Sequence, residues 1–166
     1  MKNLLAYPIL AIVLILQTAA VGRITLLAGY ADLMLVTLAA WALQEQVTTT
    51  WHWAVLGGIM VGFVSGIPWF IPLAGYLLVV GLAHMLRSRV WHAPLLAMFA
   101  VTFLGTVSMH VASLTVLRLL GDPLPIGDSL GLITLPSLLL NLLLAIPVYA
   151  LIRDLAGWMY PLEVEE

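Results

Sequence analysis

Residues 57–72 read GGIMVGFVSGIPWFIP. Gly58, Gly62 and Gly66 recur every four residues, so on a helix they share one face. A face without side chains lets a second helix come very close. In lipid that matters, because acyl tails are as apolar as Leu and van der Waals contact drives much of helix pairing. Such a stripe would extend about 12 Å at about 1.5 Å per residue, which suits two helices running nearly side by side. Pro68 and Pro72 then end one helix and start the next. The stretch is expected to form the central hairpin of an integral membrane protein. Its glycine face would pack on a helix of the same chain or on the span of a partner. Small-residue spacing of this kind is common in membrane helices and by itself specifies packing, not activity.

Composition points the same way. Of 166 residues, 63% are hydrophobic and 8% charged, against about 25% charged in an ordinary soluble domain. Mean hydropathy is +1.13. Such a chain cannot cover a water-facing surface with polar groups. With a formal net charge of -2 and no basic stripe, nucleic acid is excluded as a partner. Without cysteine there is no disulfide, thiolate metal site or cysteine nucleophile.

Outward from the hairpin, six apolar segments make one all-α, polytopic domain: about Leu4 to Val21, Leu26 to Leu43, Trp53 to Ile67, Pro72 to Leu86, Pro94 to Leu120 and Pro136 to Leu155. The first resembles a signal peptide, with Thr18-Ala19-Ala20 a marginal cleavage site, but an uncleaved first span is expected. The fifth exceeds a hydrocarbon core of about 30 Å and should tilt or protrude. Lys2, Arg87, Arg89 and Arg153 fall on one side and Arg23 and Arg118 on the other, which favours both termini inside. Trp51, Trp53, Trp69, Trp91 and Trp158 fall at span ends, where indoles anchor at the interface. In the longest connection, Gly121 to Thr134, Pro123, Pro125, Gly127 and Gly131 argue against a regular helix. The tail ending PLEVEE is acidic and solvated.

Intramembrane polar groups are costly and are the first candidates for function. They are Gln17 near the outer end of the first span, Asp32 in the outer part of the second, His110 one turn after Thr106 in the fifth, and Asn141 in the sixth. Gln17, His110 and Asn141 read most simply as interhelical hydrogen bonds, worth about 0.6 to 2 kcal/mol each. Asp32 needs a partner or a neutral form, with Arg23 or Arg118 the candidate partners, or else a bond to backbone. His52, His84 and His92 fall at interfaces; no His is spaced from a carboxylate as a zinc ligand would be, and no Ser-His-Asp set stands out. Arg87 and Arg89 form a basic inner-surface turn suited to anionic lipid or an acidic partner. Pro147 should kink the last span and free the Leu143 carbonyl.

Several of these residues in order carry a family resemblance. Leu16-Gln17, Arg23, a glycine-containing turn and Asp32-Leu33 resemble the start of the MreD family of bacterial rod shape-determining membrane proteins. Ser65-Gly66 with Pro68, and Leu135-Pro136 with Asn141 and Pro147, resemble the same family, and the likeness covers almost the whole chain. Two departures are Ala31, where the family usually has Pro, and Gly62, where it often has Asp. The resemblance implies a non-enzymatic subunit of the cell-elongation machinery in the bacterial inner membrane, without a cofactor. Its partners would be an MreC-like single-span protein and, through it, MreB, RodA and a class B penicillin-binding protein. The family also looks like the substrate-binding S-component of energy-coupling-factor vitamin transporters in its six-span fold. That alternative expects a polar ligand pocket on the outer side and alanines four apart in the first span. Ala6, Ala11, Ala19 and Ala20 are not so spaced.

Overall fold

The computed structural model describes residues 2–88, 93–122 and 124–161, with residues 2 and 3 as backbone only. The expectations for Arg89, Trp91, His92, Pro123, the Lys2 side chain and the acidic tail lie outside the described residues. In chain order the elements are α1 (Ala6–Ala19), a two-stranded hairpin of β1 (Thr25–Leu26) and β2 (Gly29–Tyr30), α2 (Leu33–Ala42), α3 (Thr50–Val64), α4 (Phe70–Arg87), α5 (Pro94–Leu119), a short turn α6 (Ile126–Asp128) and α7 (Leu135–Met159). A π-helical turn, Ser129–Thr134, joins α6 to α7. Ala6–Arg23, Phe70–Arg87, Pro94–Leu119 and Ile126–Met159 are long and apolar enough to cross a membrane; α2 and α3 are apolar but shorter.

The bundle is built around α2. All ten of its residues are buried, and it touches α1, α3, α4, α5 and α7. A helix that is apolar on every face belongs in an interior. At about 1.5 Å per residue it spans only about 15 Å, half of a bilayer core. The second segment is therefore not the helix from Leu26 that its hydropathy predicts. Its first part is the β1–β2 hairpin, which docks on the start of α7. The Ala28 amide donates to the Leu132 carbonyl at 3.0 Å and the Tyr30 amide to Ser137 Oγ at 3.0 Å. A Cβ at Gly29 would sit 2.7 Å from the Ile133 carbonyl oxygen, so only glycine permits this approach. Irregular backbone at membrane depth survives where protein buries it and answers its hydrogen bonds. The turn after α2 is treated likewise. Arg87 reaches across to donate to the carbonyls of Gln44 (2.9 Å) and Val47 (3.4 Å), so this basic residue is half-buried and engaged within the chain instead of being turned to lipid.

The α3–α4 hairpin forms, with its helix ending two residues earlier than the glycine spacing suggests. Ser65, extended at ψ 149, stops α3. Gly58 packs against Leu73 of α4 and Gly62 against Trp69 at its N-cap, where an added Cβ would meet the Cα atoms at 2.6 and 3.0 Å. The glycine face thus packs inside the chain. Gly66 lies beyond the helix end with nothing within 4 Å, so the stripe has two members, not three.

Two further expectations change. Trp53 is fully buried and stacks on Trp41 with ring centroids 4.1 Å apart, so it belongs to the core; Trp51, Trp69 and Trp158 are exposed. Gly127 and Gly131 do not stop a helix: residues 126–134 wind helically after Pro125, whose carbonyl accepts from Ser129 Oγ at 2.8 Å. Their irregularity appears as the wider π-helical turn. Pro147 stands inside α7, which runs on to Met159, and is itself exposed.

Candidate functional site

The ends of α1, α3 and α5 meet the beginnings of α2, α4 and α7 around a cavity of about 450 Å³. Its polar lining includes Gln17, Tyr30, Asp32, Tyr76, His110 and Thr134, against apolar walls such as Leu14, Val61, Ile67, Leu114 and Leu117. Val64 and Leu124, both substantially exposed, mark its open rim.

Asp32 sits at the centre of this end because it caps α2. Its Oδ1 accepts from the Leu35 amide at 2.9 Å, satisfying one of the orphan donors of a helix N-terminus. The Tyr76 hydroxyl donates across to the same carboxylate, 3.1 Å from Oδ1 and 3.0 Å from Oδ2. The Met34 amide in the same first turn donates to Gln17 Oε1 at 2.9 Å, tying α1 to α2. The amide of Asp32 itself donates to Asn141 Oδ1 at 2.7 Å, and Asn141 Nδ2 donates to Thr106 Oγ1 at 2.9 Å. One chain of bonds therefore joins α2, α7 and α5. Beside it, His110 Nδ1 lies 3.1 Å from Thr134 Oγ1, which donates to the Ser129 carbonyl across the π-helical turn. The turn is what brings Thr134 within reach of α5.

Gln17, Asp32, His110 and Asn141, dispersed over 125 positions of sequence (17 to 141), thus converge on one end of the bundle. Neither arginine proposed for Asp32 is its partner. Arg23 and Arg118 are exposed, and among the described residues the ion pair present is Arg153–Asp154 at 3.2 Å. Asp32 takes the backbone alternative, with a tyrosine hydroxyl added. Gly66 lines the cavity, while Gly58 and Gly62 lie in the α3–α4 seam. Asn141 is buried and packs within the chain; Pro147 faces outward with the exposed Leu143, Ile146 and Leu151. Arg87 is at the opposite end, near His84, whose Nε2 is 3.2 Å from Thr50 Oγ1 and whose ring stacks on Trp51.

The sequence reading passed over Tyr30, Tyr76, Ser129 and Thr134. Tyrosine, serine and threonine are tolerated in membrane helices without charge or amide groups to mark them. A signal did exist for Tyr76, a phenol well inside an apolar run, since a buried hydroxyl seeks a partner. Among the described residues no group of three or more His, Asp or Glu is placed to hold a metal ion. No family model, curated protein or solved structure matches this chain.

Proposed function

We propose that this chain is a non-enzymatic six-span scaffold of the MreD type in the bacterial inner membrane. Both termini would be cytoplasmic and the cavity end outermost. It would bind an MreC-like single-span protein and, through it, support MreB, RodA and a class B penicillin-binding protein in regulating cell shape and peptidoglycan synthesis. The observation that carries this reading is the convergence of the residues behind the resemblance. Gln17, Asp32, Ser65 and Gly66 all line one cavity, and Asn141 bonds the Asp32 backbone. Residues that hold one another in this way are a structural unit, as a scaffold requires. The exposed apolar face of α7, with Leu139, Leu143, Ile146 and Leu151, offers a partner's span a surface of matching chemistry. Co-purification from a native membrane tests it: a stable single-span partner with a periplasmic domain supports the scaffold, and a chain that purifies without one in mild detergent refutes it.

The cavity favours a second reading, an S-component-like subunit that binds a small solute such as a vitamin. Its volume of about 450 Å³ lies in the range of small-molecule sites. Extraction of a stoichiometric vitamin from the purified protein would establish that reading in place of the scaffold.

A further inference from the structure

We infer that the cavity binds a protonated amine carried on an apolar body. Asp32 presents a carboxylate to the cavity, and its partners are an amide and a hydroxyl. Neither carries a charge. The end of α2 contributes about half of a positive charge, which leaves much of the carboxylate's charge unanswered. Among the described residues no lysine or arginine pairs with it. Charges withdrawn from water are ordinarily paired. The complement to this site is a cation, supplied from outside the chain.

The walls select the kind of cation. Leu14, Val61, Ile67, Leu114 and Leu117 would gain nothing from a hydrated metal ion but would bury a hydrocarbon body. Tyr30, an exposed member of the same lining, adds an aromatic ring to which an ammonium is also attracted. The ammonium could belong to a soluble amine or to the ethanolamine headgroup of a lipid; both present the same chemistry to Asp32. This site is independent of the scaffold reading, because it concerns what the isolated chain retains, not which protein it joins.

The experiment uses the full chain in an uncharged maltoside detergent. In one arm phenethylamine and 2-phenylethanol are compared by calorimetric titration. In the other, retention of phosphatidylethanolamine and phosphatidylglycerol is compared by native mass spectrometry. The expected result is a preference of at least tenfold for the amine in at least one arm, erased in Asp32→Asn. Asparagine keeps the cap of α2 while removing the charge. A preference in the first arm identifies a soluble ligand, and a preference in the second alone identifies a lipid. No preference in either arm, or an undiminished preference in Asp32→Asn, overturns the inference. Should Asp32→Asn not fold, Leu114→Trp fills the cavity from its apolar wall and must lose amine binding; retained binding overturns the inference equally.

Discussion

The backbone amide of Asp32 donates to the side-chain oxygen of Asn141 at 2.7 Å across 109 positions of sequence. This bond fixes the start of the central helix against α7, and Asn141 Nδ2 extends the link to Thr106 on α5. A single amide side chain thus aligns three helices at one level.

Asn141→Leu should therefore destabilise the bundle by about 2 to 4 kcal/mol, from two interhelical bonds at about 0.6 kcal/mol each and about 1 to 3 kcal/mol for a stranded Asp32 amide. Thr106→Val, which removes one bond and leaves the Asp32 amide paired, should cost less than half of that. Unfolding in mixed micelles of the two variants checks the order. Equal losses would mean that Asn141 acts through Thr106 alone.

Tyr76→Phe removes the hydroxyl on Asp32 and leaves the cap to Leu35 intact. The expected loss is about 1 kcal/mol, read as a lower melting temperature in detergent. No change in melting temperature would show that this hydroxyl contributes nothing to stability.

The two packed glycines and the open one should separate cleanly. Gly58→Ala must push on the Leu73 backbone, and Gly62→Leu on Trp69, so both variants should accumulate poorly in the membrane. Gly66→Ala meets nothing within 4 Å and should behave as wild type. Normal yield and a monodisperse Gly62→Leu would show that α3 and α4 can part without loss.

Reporter fusions after Glu166 and within Gly121 to Thr134 should report opposite sides of the membrane, with the C-terminus inside. The two short helices make this an informative measurement, since α2 spans only about 15 Å and reaches both ends of the bundle through the non-helical backbone that flanks it. Reporters on the same side would rule out six spans.

Arg87→Ala should destabilise the opposite end of the bundle, because the Val47 carbonyl loses the guanidinium donor and the Gln44 carbonyl keeps only the Val47 amide. The loss should reach about 1.5 to 3 kcal/mol, as for other hydrogen bonds to charged groups. Protease sensitivity between residues 43 and 49 checks it; an unchanged cleavage rate would return Arg87 to a purely surface role.

Much of this molecule follows from the order of residues alone. The apolar composition, the hairpin at Pro68 and the polar identities of Gln17, Asp32, His110 and Asn141 were all legible, as was the interhelical bonding of Gln17, His110 and Asn141. The sequence could not show which segment lies at the centre. In a soluble protein an amphipathic period would separate the buried face from the exposed one. Here faces turned to lipid and faces turned to protein are equally apolar, so hydropathy treats α2 like its neighbours. Burial is then decided by shape: by Gly29 admitting the hairpin onto α7, and Gly58 and Gly62 admitting α4. Trp53 shows the same limit, an indole at a segment end that stacks inward on Trp41. The partner of Asp32 was equally a tertiary matter. Charge favoured an arginine nearby in sequence, but the carboxylate caps a helix N-terminus and accepts from the Tyr76 hydroxyl, 44 positions away, so that among the described residues no second side-chain charge leaves water beside it.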